Sequence, residues 1–102
     1  MGHLRYSPAA RAALENITRD VLANNGRVVA ERVVARLRKS LATLALFPGT
    51  GRKRPRLGRD LRSWPVRPWV AFYRIVGEDI EIVRIIHGKR RISRTLIEAN
   101  ET

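Results

Sequence analysis

The chain has 102 residues and carries 21 Lys and Arg against nine Asp and Glu, a formal net charge of +12 at pH 7. Its length fits a single domain over residues 1–102, and an apolar content of 44% is enough for one core. With no cysteine, it has no disulfide framework and no thiolate zinc site, and no apolar run approaches the ~20 residues that span a bilayer.

The N-terminus has no apolar stretch of the secretory kind, so the expected location is the cytoplasm, with no membrane partner. The charge calls for a polyanionic partner: nucleic acid, a nucleoprotein machine or an acidic protein. Only Lys39, Lys53 and Lys89 are lysines. The rest are arginines, whose planar guanidinium suits bidentate contact with carboxylate or phosphate. GC-rich coding also favours Arg over Lys, but it does not account for the net charge.

His3 to Tyr6 alternates polar and apolar and reads as a short additional strand. Ser7-Pro8 is a helix start, with Ser as cap and Pro at the first helical position, where its missing N–H is not needed. Ala10, Leu14, Ile17 and Val21 then fall on one helical face. Asn24-Asn25-Gly26 ends that helix, and a second is predicted over residues 28–46, its stripe made of Ala30, Val33, Leu37, Leu41 and Leu44. Two amphipathic helices joined so closely lie antiparallel.

Phe47-Pro48-Gly49 stops the second helix. Residues 49–59 form a basic loop with five Lys or Arg between Arg52 and Arg59. Three strands follow, over residues 61–66, 69–76 and 80–86, the last two joined through Gly77-Glu78-Asp79 as a hairpin. Pro65 lacks an N–H and belongs on an edge or near a strand end. The segment His87-Gly88-Lys89-Arg90-Arg91 leaves the end of the sheet, and residues 92–100 form either a short C-terminal helix or a frayed tail. The fold class is therefore α+β, an N-terminal helical hairpin packed on a small antiparallel sheet of three to four strands.

Neither parity of residues 69–76 or 80–86 is cleanly polar. One sheet face packs on the hairpin; the other then shows apolar residues around Arg74 and Arg84, the composition of a partner interface. A register shift at a bulge, or cover by the tail, would give the same pattern without an interface. No metal or cofactor is expected. His3 and His87 are far apart, Gly49-x-Gly51 lacks the strand and helix of a phosphate loop, and no serine has a His/acid pattern near it.

Phe47-Pro48-Gly49-x-Gly51-Arg52, Leu61-Arg62-Ser63 with Pro65-Val66, Phe72-Tyr73-Arg74 and Val83-x-Ile85-x-His87-Gly88, in this order and spacing, resemble the ParE branch of the RelE/ParE toxin superfamily. The likeness runs from about Leu4 to Arg91, and the Ser7-Pro8-x-Ala10 opening fits it. It implies a bacterial type II toxin, held in a hetero-oligomer by a cognate antitoxin whose C-terminal segment is acidic and amphipathic. ParE-like members trap DNA gyrase on cleaved DNA without catalysis of their own. On this reading His87, Lys89, Arg90, Arg91 and Arg94 contact the target or its DNA. The antitoxin settles on the Arg74/Arg84 face, on Trp64 and on the helical stripes that include Leu14 and Leu37.

RelE-like members are instead ribosome-dependent mRNA endonucleases. They place an Arg and a Tyr where this chain, once aligned, has Val70 and Leu96. Arg90 is retained and could serve a phosphate, and His87 is the one residue near it able to move a proton. The loss of that Arg and Tyr favours the ParE branch.

Overall fold

Ser7 ties the first helix to the sheet. Its Oγ accepts from the Ala10 N–H (3.0 Å) as a helix cap and donates to the Val83 carbonyl (2.6 Å), in the last strand. The computed structural model describes residues 2–98. After strand β1 (Leu4–Tyr6) come helices α1 (Pro8–Asn25) and α2 (Arg27–Leu46), then a 3₁₀ turn (Pro48–Thr50). Strands β2 (Arg52–Lys53), β3 (Arg62–Val66), β4 (Trp69–Val76) and β5 (Asp79–His87) follow, and helix α3 (Arg94–Glu98) comes last.

Only Gly26 separates α1 from α2. Its φ of +86° is a backbone angle that a side chain would strain. Asn24 and Asn25 remain helical, so the turn is tighter than Asn-Asn-Gly suggests. Ala10, Leu14, Ala30, Leu37, Leu41 and Leu44 are buried. All but Ala30 belong to a core that also takes Val66, Ala71, Tyr73, Ile80, Ile82 and Ile85 from the sheet.

The sheet has five strands in the order β1-β5-β4-β3-β2, where the sequence suggests three to four. The central three form the expected antiparallel meander. β1 adds in parallel to β5, through backbone bonds such as Ile80 N–H to His3 O (2.9 Å) and Ser7 N–H to Ile82 O (2.9 Å). β2 is two charged residues from the basic loop, paired with Arg62 and Ser63. A strand so short and so polar has no hydrophobic alternation to announce it. Pro65 lies on the part of β3 that β2 does not reach, where a missing N–H costs nothing.

The mixed parities have two causes. Phe72 pairs with Arg84 and Tyr73 with Ile82, so β5 carries one extra residue, Val83. This bulge shifts the alternation: Ile80, Ile82 and Ile85 face the helical hairpin, and Val83 and Ile86 the opposite side. That opposite side is a second core of Leu61, Phe72, Val83, Ile86 and Ile97, with Leu57, Val70, Ile92 and Leu96 packed on it. The expected open apolar patch around Arg74 and Arg84 is therefore largely closed, with Leu57, Val70 and Ile92 still partly exposed beside it. Helix α3 and the basic loop cover it, and Arg84 is 8% exposed. Of the two alternatives for the C-terminus, the helix forms; residues 99 and 100 lie outside the described residues.

Candidate functional site

The basic loop is held in place. The Arg54 N–H donates to the Leu61 carbonyl (2.8 Å), and its Nε to Ser63 Oγ (2.9 Å). The Arg62 guanidinium donates to the carbonyls of Gly49 (3.2 Å) and Gly51 (2.8 Å), and Arg74 Nε to that of Arg59 (3.0 Å). Beneath the loop, the buried Tyr73 hydroxyl donates to the Pro48 carbonyl (2.7 Å) and accepts from the Gly51 N–H (2.8 Å). Burial raises the Tyr73 pKa, partly offset by the Gly51 hydrogen bond and the Arg62 charge, so the hydroxyl keeps its proton and stays a donor. These bonds fix the backbone that presents Arg52, Lys53, Arg56 and Arg59 to solvent.

A second basic arm leaves β5. The Gly88 N–H donates to the Pro68 carbonyl (2.7 Å), and that of Arg90 to the His87 carbonyl (3.0 Å). The Lys89 N–H donates to His87 Nδ1 (3.1 Å), and the His87 ring stands edge-on to Trp69, centroids 6.5 Å apart. Lys89, Arg90 and Arg91 are exposed. Ser93 then caps α3 through its Oγ, which accepts from the Leu96 N–H (3.2 Å), and Arg94 pairs with Glu98 at 2.8 Å.

The basic loop and Ile92, the residue that follows the second arm, border one groove of about 560 Å³. Residues 52–57 form one wall, Ile92 the other, and Val70 and Phe72 line it between them. Among the described residues, no carboxylate lies within ion-pair distance of Arg52, Lys53, Arg56, Lys89, Arg90 or Arg91. Arg52, Lys53 and Arg56 thus set positive charge along an apolar channel, whereas His87 and Arg90 line a separate groove against α1. From the sequence, target contacts are expected first on the second arm, His87 to Arg94, and only second on Arg52 to Arg59.

The residues expected to receive an antitoxin are scattered. Leu14 and Leu37 are buried between hairpin and sheet, so their side chains cannot touch a partner, which corrects the expectation for them. Trp64 is half-buried at the edge of that core, its Nε1 donating to Ser40 Oγ (3.0 Å). Arg74 holds the basic loop from beneath, and Arg84 borders a shallow groove between α1 and β5. These five share no single surface. Among the described residues, no group of three His, Cys, Asp or Glu could hold a metal, and no helix is long and apolar enough to cross a membrane.

The family model described as the ParE toxin of the type II toxin-antitoxin system parDE matches residues 4–92. The chain belongs to the ParE toxin family. It is 35% identical to the toxin ParE3 of Caulobacter vibrioides over 96 residues, covering 94% of this chain and 96% of that one. It is 31% identical to the toxin ParE1 of Mycobacterium tuberculosis over 91 residues, covering 88% and 93%. The fold is similar to a solved chain from the chromosomal ParDE TA system of P. aeruginosa, with a TM-score of 0.74 and 26% identity over 85% of this chain and 96% of that one. As a ParE toxin it is the toxin component of a type II toxin–antitoxin system, a class whose partner is an antitoxin.

Proposed function

We propose that this ParE toxin inhibits DNA gyrase by binding, blocks replication from within the cytoplasm, and does no catalysis of its own. What supports this reading above all is the apolar character of two positions. Where the ribonuclease branch of the superfamily has Arg and Tyr, Val70 and Leu96 pack against the second core. Cleaving RNA through its 2′-OH needs a group to take a proton and groups to carry the phosphate charge. The remaining candidate base is His87. Its Nδ1 already accepts the Lys89 N–H, so in the neutral ring the proton sits on Nε2, which then donates rather than abstracts. Arg90 and Arg91 keep their value for holding a target or its DNA, because such contacts need charge and not proton transfer.

A supercoiling and DNA-cleavage assay with purified gyrase, beside a translation assay, tests the reading. Cleaved DNA accumulating with gyrase, with translation unaffected, is the expected result. Intact gyrase activity together with mRNA cuts in the ribosomal A site would replace it with the endonuclease reading.

A further inference from the structure

A shallow groove of about 400 Å³ runs between α1 and α2, lined by residues of those two helices alone. Its floor is apolar: Ala30, Val34 and Ala35 come from α2 and Leu22 from α1. Leu22 is 48% exposed, so a large apolar side chain still has surface to bury there. Thr18, also in the lining, already donates its hydroxyl to the Leu14 carbonyl (2.8 Å) and asks nothing of a partner. The charges stand at the rim, where Arg27 pairs with Glu31 at 3.0 Å. Arg38 is exposed, and among the described residues no carboxylate lies within ion-pair distance of it.

The order of these charges along α2 says what fits. Glu31 lies three residues before Val34, and Arg38 three residues after Ala35. Both therefore stand about 5 Å along the helix axis from the midpoint between Val34 and Ala35. A two-fold axis through that midpoint lays α2 antiparallel on a copy of itself and sets each Glu31 opposite the Arg38 of the other copy. Ala30, Val34 and Ala35 are short enough to let the two helices approach closely. An acidic helix or a nucleic acid suits this face less well, because Glu31 would repel it; a second copy supplies the cation that Glu31 faces and the carboxylate that Arg38 lacks.

We propose that this face of α2 joins two copies of the chain through an antiparallel, two-fold contact held by reciprocal Glu31–Arg38 pairs. Each copy carries +12, so the contact works against mutual repulsion and makes a reversible dimer rather than a permanent one. Both basic arms lie outside the contact and stay open in the pair.

The test is sedimentation velocity on the full chain across a concentration series at ~0.15 M salt. A monomer–dimer equilibrium is expected. E31R and R38E should each weaken it at least about tenfold in Kd. The double swap E31R/R38E, which restores the pairing with its signs exchanged, should return to within about threefold of the native value. V34D should abolish the dimer, and R32E, an exposed change on α2 outside the groove, should leave it nearly intact. If net charge alone governed association, R38E and R32E would both strengthen it and only E31R would weaken it; that pattern overturns the proposal. So does a chain that stays monomeric at every concentration, or a dimer indifferent to all these variants. A monomer that instead takes up a synthetic helix-forming peptide of Leu and Glu, and loses it in V34D, would make the groove a seat for a foreign helix, and the proposal would fall. No gyrase takes part, so failure here leaves the gyrase reading standing, and a failed gyrase assay leaves this one standing.

Discussion

Gly51 and Tyr73 are matched to each other: the amide of one donates to the hydroxyl of the other, and a Cβ on Gly51 would collide with that hydroxyl. The second glycine of the Gly-x-Gly in the basic loop is thus explained by a tyrosine two strands away in the sheet. Tyr73→Phe leaves the Pro48 carbonyl and the Gly51 amide without their partner. It should lower stability by about 1–3 kcal/mol, measured by urea denaturation. Gly51→Ala should cost a similar ~1–3 kcal/mol through overpacking. Tyr73→Phe should also weaken binding on the loop side of the face more than at the second arm.

The same hydroxyl gives a pH dependence. Burial raises the Tyr73 pKa above its ordinary value of 10.0, and that of Tyr6 likewise. At alkaline pH the unfolded chain then loses these protons first, so the folded state binds more protons. The stability from both groups is complete below pH 10.0 and is lost as pH rises through their raised folded values. Denaturation midpoints on the alkaline side should fall, and should fall less steeply in Tyr73→Phe.

Ser7→Ala removes both a helix cap and a bond to the bulged strand. The expected loss is about 1–2 kcal/mol. Ser7→Thr should restore most of it; if Ser7→Ala were neutral in denaturation, the link between α1 and β5 would carry no energy.

Leu37 distinguishes core from interface. Leu37→Ala should cost about 2–5 kcal/mol, the range for emptying a buried site. Once the loss of folded protein is corrected for, antitoxin affinity should be unchanged. An affinity defect in a fully folded sample would show that the helical stripe does meet a partner.

Charge reversal at Arg90 and Arg91 should lower gyrase inhibition by at least about tenfold while leaving the melting temperature nearly fixed, since exposed substitutions stay within about 0.5 kcal/mol. His87→Ala removes one contact and should weaken toxicity without abolishing it. Cuts in ribosomal A-site mRNA that disappear in a folded His87→Ala protein would revive the endonuclease reading.

The helices were legible because their period, cap and Gly stop agree: Ser7-Pro8 and Gly26 mark the ends where the chain turns. The central meander was legible from its β-branched runs. β2 was not, because Arg52-Lys53 pairs only through what holds the loop around it. The extra residue at Val83 was not, because a count at a fixed period of two cannot place a bulge. Half the candidate face was also hidden. Arg52 and Ile92 are 40 positions apart, and only the second core, with Ile97 and Leu57 both packed into it, brings their segments to one groove.

The pairing of β1 with β5 has a bearing on how the molecule comes into being. His3 meets Ile80, so the first strand waits for most of the chain before it finds its place, whereas the helical hairpin needs only local contacts. The two walls of the groove likewise come from distant segments, residues 52–57 and Ile92. A nascent chain can fold its helices early yet has no complete groove. The groove, like the pairing of β1 with β5, therefore comes into existence only when distant segments meet, later than the hairpin that supports it.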